Sequence, residues 1–445
     1  MALKTFAIVS LGCSRNLVDS EVIAGSLKAA GLRQRPEPRG ADLCVVNTCA
    51  FIESARAESV DAIMEIAAFK REGLVKKIAV CGCLSQLHKG RLLRDLPEAD
   101  LVLGTSDFPR IGALARGLGK GRRSEISPRP GLIYDENSPR SVLTPRHYAY
   151  VKISEGCSNL CSYCIISRLR GNFRSRTIGS VAREVESLAA GGLLKEVNLV
   201  GQDTTIFGAD VYGRAVLQEL LKSLCSVKNG VEWFRVLYTH PAHYSDRLID
   251  TVAGEPKICK YLDLPVQHIS DRILKAMNRR TTAGDIVRLV RKLRKRIPGL
   301  VLRTSIIVGF PGETDREFAR LLGFLRDTRF ERLGAFTYCR EPGTAASRLA
   351  RQVPEDVKQE RYDELMRAQR RISEEANRRY LGRTVRVLID EKAPGQDGTF
   401  LGRTAGDAPE VDGGVFVSGK GLAPGGFYDV KITDSLEYDL VGVKR

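Results

Sequence analysis

With 445 residues, 43% hydrophobic and 28% charged, the chain is long enough for two to four domains and is balanced like an ordinary globular protein, which excludes a disordered polymer. The formal charge of +17 fits a polyanionic or ribosomal neighbourhood, although basic composition alone often only aids solubility. Eleven cysteines, odd in number and clustered, exclude a secreted disulfide scaffold and point to metal or redox chemistry in a reducing compartment, and no apolar run approaches the ~18 residues of a membrane span.

The first hundred residues repeat one pattern. The apolar run "FAIVSL" reads as a strand; with "GC" after it, it has the look of a lipoprotein cleavage site, but it is too short and lacks a basic lead, so the protein is expected in the cytoplasm. The helix "DSEVIAGSLKAAG" follows, with Asp19 as its expected N-cap and Gly31 as its stop. Next come the strand "LCVVNTC", a helix from Ser54 to Lys70, the strand "KIAVCGC", another helix and "DLVLGTSDF". Strand alternating with helix implies a parallel sheet. Residues 119–146 are rich in Gly, Pro, Ser and charge and read as a linker.

A second β/α series begins with "YAYVKIS" and continues through "EVNLV", "FRVLYT", "YLDLPV", "VLRTSIIVGF" and "RLGAFTY". Amphipathic helices such as "AREVESLAAGG" and "DIVRLVRKLRKRI" lie between them, and six such units make a partial or full parallel barrel. Residues 354–380 form a charged connecting helix with Pro354 as its first residue. Beyond Tyr380, "TVRVLID", "GTFLGRT", "GVFVSG" and "FYDVKITDSLEYDLVG" are short strands between Gly-rich turns, a small all-β barrel. Residues 380–445 hold eight Lys or Arg against ten Asp or Glu, so this barrel is about −2 and the rest about +19. The divisions are therefore 1–140, 141–378 and 379–445.

"EGCSNLCSYC" places Cys157, Cys161 and Cys164 directly after the first strand of the second series, at the strand end where parallel β/α folds build sites. Thiolates suit zinc or iron–sulfur clusters. A structural zinc wants four protein ligands, and no fourth Cys or His is near. A cuboidal 4Fe–4S cluster on three cysteines keeps one iron open. Cys13, Cys49 and Cys83 each end one of the first three long strands ("SLGC", "NTC", "CGC"), so parallel strands would converge all three on one edge. Gly12 and Gly82 would let the backbone approach a cluster closely. The plainer reading is three buried strand-end cysteines. Cys44, Cys81, Cys225, Cys259 and Cys339 sit singly in apolar runs and are expected to be buried. The five histidines show no ligand pattern.

The Cys157–Cys161–Cys164 spacing resembles the signature of the radical S-adenosylmethionine superfamily. The resemblance implies that the open iron is chelated by the amino and carboxylate groups of S-adenosylmethionine, which an electron from the cluster cleaves to a deoxyadenosyl radical. It further implies that Gly201, Gln202 and Asp203 of "LVGQD" hold the methionine amino group and that Ile307, Val308 and Gly309 of "SIIVGFPGE" lie along the adenine. Gln267 of "LPVQH" is a candidate for the ribose or carboxylate, and the Tyr163 backbone for the adenine. Each has an ordinary alternative: Gly309 and Gly312 as turn residues, Gln267 as a strand-end cap.

Over essentially its full length the chain resembles the methylthiotransferases, whose N-terminal domain carries "GC…NTC…GC" and whose terminal barrel is the TRAM module. The resemblance implies a second 4Fe–4S cluster on Cys13, Cys49 and Cys83, taking part in sulfur insertion. "SLGCSRNLVDSE", "EGCSNLCSYC", "VGQDTTIFG" and "YLDLPVQHIS" are most similar to the RimO-type branch. That branch places a methylthio group on the β-carbon of an aspartate in small-subunit ribosomal protein twelve. An electron donor such as flavodoxin or ferredoxin is implied, with the ribosomal small subunit a candidate partner and no membrane involved. Such a β-hydrogen is too weakly acidic for any general base near neutral pH, so no acid–base dyad is assigned. Departures are Ser14-Arg15 where the family often has Pro-Lys, Ser167 where it often has Pro, and Cys339 where it often has Ser. Two other functions stay open: a transfer-RNA (N6-modified adenosine) methylthiotransferase, and a non-enzymatic iron–sulfur protein that binds RNA or the ribosome. The mildly acidic barrel agrees better with a basic protein substrate.

Overall fold

The computed structural model describes residues 3–118, 121–227, 230–395 and 398–445. The N-terminal strands are β1 (Thr5–Ser10), β2 (Arg33–Gln34), β3 (Leu43–Thr48), β4 (Lys77–Gly82), β5 (Leu101–Leu103) and β6 (Arg123–Glu125). They form one parallel sheet in the order β2-β1-β3-β4-β5-β6. Alternation along a strand fills both faces. On β3, Val45 packs with Val18 and Val22 of the helix Ser14–Ala29, while Cys44 and Val46 pack with Ile63 and Ile66 of the helix Glu53–Arg71.

Two expectations change here. The first helix begins at Ser14, with Cys13 at its N-cap, so Asp19 is inside it; Gly31, at φ +91, does end it. Asp19 is 2% exposed and binds Lys152 and Arg170, charges that lie 133 and 151 residues away. The segment read as a linker is a packed strap. It contributes β6, and its Arg140 pairs with Glu21 of the first helix and Glu184 of the helix Ile178–Ala189.

The central unit contains β7 (Tyr148–Lys152), the short antiparallel pair β8 (Ser154–Glu155) and β9 (Arg174–Ser175), then β10 (Glu196–Val200), β11 (Trp233–Val236), β12 (Ile258–Asp263), β13 (Val301–Val308) and β14 (Arg332–Thr337). All six anticipated strands are present, parallel and in the order β14-β13-β12-β11-β10-β7. The sheet is a partial barrel that stays open between β7 and β14. Val151, Leu199, Phe234 and Leu302 face the surrounding helices, and Tyr150, Arg235 and Tyr261 face inward. The helix Glu355–Arg378 is more than a connector: Leu365 enters the helix-side core, and Pro354 stands at its N-cap.

The C-terminal strands β15 (Thr384–Lys392), β16 (Thr399–Arg403), β17 (Val415–Ser418), β18 (Phe427–Ser435) and β19 (Leu440–Lys444) close into a barrel. The last anticipated stretch divides into β18 and β19. Between β16 and β17 the chain enters the inner face of the central sheet. There Arg235 donates to Ala405 O at 2.7 Å, Tyr150 to Pro409 O at 3.3 Å and Tyr261 to Asp412 at 2.7 Å. One apolar cluster draws on all three units, among others Phe6 and Val18, Tyr148 and Trp233, and Leu388. Of the isolated cysteines, Cys44, Cys81 and Cys259 are buried as expected, while Cys225 and Cys339 are only half-buried. Among the described residues no helix is long and apolar enough to cross a membrane.

Candidate functional site

Because β1, β3 and β4 are neighbours and parallel, their carboxyl ends carry Cys13, Cys49 and Cys83 to one edge. The two adjacent glycines stand where no side chain fits. A Cβ on Gly12 (φ +87) would stand 2.8 Å from Cys49 Cβ, and one on Gly82 (φ +96) would stand 2.5 Å from Asn47 Oδ1. They let neighbouring strand ends approach one another closely.

Cys157, Cys161 and Cys164 follow β8 in a loop held by backbone bonds from Cys157 N to Gly171 O at 3.1 Å and from Ser162 N to Met277 O at 3.0 Å. The two triads come from different units, Cys13, Cys49 and Cys83 from the first and Cys157, Cys161 and Cys164 from the second. Arg15 joins them: its Nε donates to Cys13 Sγ at 3.4 Å, its Nη1 to Gly201 O at 3.4 Å, and its charge also acts on Cys164. Arg170 donates to Cys83 Sγ at 3.4 Å and to Asn16 Oδ1 at 3.0 Å, and also binds Asp19. Arg279 reaches Cys161 Sγ at 3.9 Å.

Burial pushes Cys49 up to about 11 and Cys164 up to about 12, and raises Cys83 and Cys157 as well. Burial acts on Cys13 too, but the charge and hydrogen bond of Arg15, the Asn16 amide and Arg170 bring it below its ordinary value. A metal centre here must therefore displace protons from most of its thiols. Among the described residues only Asp203, His240 and His243 bring three such ligand atoms within 4.8 Å of one another. Tetrahedral zinc would draw thiolates to about 3.8 Å apart. The wider spacing of both triads suits a cluster, in which each thiolate has its own iron.

The other expected residues gather around the second triad. Gln202 Nε2 donates to Glu155 Oε1 at 2.5 Å. A carboxylate only accepts, so the amide orientation is fixed, and Gln202 Oε1 is left buried without a partner among the described residues. Asp203 is already engaged. Its Oδ1 accepts from Thr205 N at 3.2 Å, and its Oδ2 lies 2.8 Å from Asn159 Nδ2 and 2.9 Å from His243 Nδ1. Burial opposes ionisation of Asp203, but the hydrogen bond and charge of His243 lower its pKa. Burial, with Arg279 next, drives His240 down to about 3, so it is neutral. Two of the five histidines thus line the site, stacked with ring centroids 4.8 Å apart.

Tyr163 and Ile307 pack into one apolar cluster with Phe310 and Tyr338. Val308 points the other way, into the helix-side core, so only its backbone is offered to a ligand. Gly309 (φ +71) is crowded by Lys358, whose Cγ would lie 2.3 Å from an added Cβ. Gln267 holds φ +69 and bridges to β13, its N donating to Ser305 O at 2.9 Å and its O accepting from Ile307 N at 2.9 Å. Sequence reasoning missed Arg170, Arg279, Tyr238, His240 and His243 and gave Arg15 no role. None carries a local motif; only the position of Arg15 beside Cys13 was a signal.

Three family models match the chain: the radical SAM superfamily over residues 151–325, the uncharacterized protein family UPF0004 over 5–104, and the TRAM domain over 381–444. Solved structures show the fold. The radical S-adenosylmethionine methyltransferase TsrM from Kitasatospora setae, with cobalamin and a [4Fe-4S] cluster bound, is 17% identical with a TM-score of 0.56, covering 78% of this chain and 74% of that one. The cobalamin-dependent S-adenosylmethionine radical enzyme OxsB is 12% identical with a TM-score of 0.51, covering 82% and 56%. Among curated relatives, the ribosomal protein uS12 methylthiotransferase RimO of Heliobacterium modesticaldum is 45% identical over 98% of this chain and 94% of its own length. The RimO of Syntrophotalea carbinolica is 46% identical over 98% and 96%. The aligned stretches span nearly the whole chain, and the chain belongs to the RimO family of ribosomal protein uS12 methylthiotransferases.

Proposed function

We infer that the protein is a radical S-adenosylmethionine methylthiotransferase that modifies ribosomal protein uS12, at the β-carbon of an aspartate. The supporting observation is that two thiol triads from two units are linked through Arg15, which bonds Cys13 of one and acts by its charge on Cys164 of the other. A binding protein has no need of two such centres. Cys157, Cys161 and Cys164 would hold one 4Fe–4S cluster, and Cys13, Cys49 and Cys83 a second. When bound, the first cluster and S-adenosylmethionine supply radical chemistry, and the second supplies the site of sulfur transfer.

The remaining roles fall to this chain's side chains. Gln202 Oε1, an acceptor without a donor among the described residues, would take the methionine ammonium. Arg279, whose Nε has no partner among them, would take the methionine carboxylate. Tyr163 and Ile307 give an apolar wall for the adenine, and Asp203 holds the loop through Asn159 and His243. The unit divisions at 140/141 and 378/379, the electron donor, any docking on the small ribosomal subunit and a cytoplasmic location belong to the same reading.

The test is anaerobic reconstitution with iron and sulfide, then incubation with S-adenosylmethionine, reductant and purified uS12, with transfer RNA in parallel. About eight irons per chain and a methylthio mass gain on uS12 are expected. A gain on RNA alone would overturn the substrate. Cys161→Ala should abolish deoxyadenosine formation, whereas Cys49→Ala should keep it and lose thiolation; retained thiolation in Cys49→Ala would sink the two-cluster reading.

A further inference from the structure

Buried arginines in this protein follow a rule. Arg170, Arg176, Arg235, Arg332, Arg361 and Arg403 are each less than a tenth exposed, and each has a carboxylate within 4.0 Å. Three arginines touch the thiols of the site: Arg170 holds Asp19 and Glu155 as well as Cys83, whereas the half-buried Arg15 and Arg279 pair with no carboxylate among the described residues. Arg279 stands beside Cys161, where the proposed function gives it the carboxylate of S-adenosylmethionine. Arg15 has no such assignment.

The surroundings of Arg15 are those of a waiting cation. The guanidinium lies over the Tyr238 ring, 4.3 Å from its centroid, and Ser14 Oγ fixes the Tyr238 hydroxyl at 3.2 Å. Its two hydrogen bonds, to Cys13 Sγ and Gly201 O, are both long at 3.4 Å, and Nη2 donates to nothing among the described residues. Tyr238 itself holds φ +58, a left-handed conformation unfavourable for a tyrosine, which keeps its ring under the guanidinium. The fork has a free edge, and a carboxylate is the partner its planar donors match best.

Position adds the second half of the argument. Arg15 contacts Cys13 of one triad and acts on Cys164 of the other. A carbon that loses hydrogen beside the Cys157 triad and gains sulfur at the Cys13 triad must sit in that interval. In aspartate the carboxyl carbon is bonded directly to the β-carbon, so a cation that fixes the carboxylate fixes the reacting carbon to within one bond. We propose that Arg15 receives the side-chain carboxylate of the substrate and thereby sets the preference for an acidic residue. This rests on uS12 being the substrate.

The test is binding, not turnover. Reconstituted enzyme with S-adenosylmethionine and no reductant is titrated with uS12 and with uS12 whose target aspartate is changed to asparagine. Wild type should bind the aspartate form about 10- to 100-fold more tightly, as expected for a hydrogen-bonded charge pair. Arg15→Gln should bind both forms equally with unchanged iron content, and Arg15→Lys should keep part of the preference. A full preference surviving in Arg15→Gln overturns the proposal. So does a wild type that binds both forms equally, a result independent of whether any variant folds. A wild type that binds neither form removes the uS12 reading itself, and this inference with it.

Discussion

Gly12→Ala should empty one cluster site and leave the other intact. Gly12 holds φ +87, where a residue with a Cβ is strained by about 1–2 kcal/mol. The added carbon would also lie 2.8 Å from Cys49 Cβ and 2.9 Å from Cys49 Sγ. Carbon atoms pack comfortably from about 3.5 Å, so Cys49 would have to retreat by about 0.7 Å. A metal–ligand bond tolerates about 0.2 Å, several times less. Iron should fall from about eight to about four per chain. Thiolation should vanish, while deoxyadenosine formation continues, because the Cys157 triad lies on a separate loop. Iron and sulfide analysis with chromatographic detection of deoxyadenosine reads both outcomes. A Gly12→Ala protein with full iron content and normal thiolation would refute the steric argument.

Gln202→Leu should weaken S-adenosylmethionine binding about tenfold at unchanged iron content, read by equilibrium dialysis; unaltered affinity would remove Gln202 from the site. Arg403→Met should strip partners from Glu196 Oε2 and Asp390 Oδ2, bonded at 2.7 Å each, leaving Arg235 and His147 on the other oxygens. The expected cost is about 3–5 kcal/mol in urea unfolding, and a loss under about 1 kcal/mol would contradict it. Burial of Glu317 opposes its ionisation, but hydrogen bonds from Arg272, Ser270 and Thr314 hold its pKa at about 2 against an ordinary 4.5. Its folded value is depressed, so its contribution is complete above pH 4.5 and lost as the pH falls towards 2. Melting temperatures of wild type and Glu317→Gln should converge across that window; parallel curves would count against the pairing.

What could be read from sequence followed locality. The central strands β7, β10 and β11 are buried on both faces, β13 and β14 less so, and all six appear as apolar runs between amphipathic helices, so each declared itself. The Cys157 triad is compact in sequence, and the Cys13 triad could be assembled once the strands were taken as parallel. Asp19 was misassigned because an acidic residue near a helix start looks like a cap, and nothing nearby in sequence reveals Lys152 or Arg170. The strap over 121–146 has the composition of a linker, yet Arg140 is ordered by two glutamates on two units. Arg279, His240 and His243 are single residues delivered by tertiary structure alone, without a motif to announce them.

The apolar cluster shared by all three units constrains how a macromolecular substrate is served. Phe6 and Val18, Tyr148 and Trp233, and Leu388 are each less than a tenth exposed, so swinging the first unit away would wet a continuous oily seam. The chemistry proposed for the two triads would then take place between units that do not part on demand. A large protein substrate would have to lend a slender projection that carries the target residue at its tip. Selection by reach would then precede selection by charge, and an acidic residue on a flat or helical surface would be passed over even if Arg15 suited it.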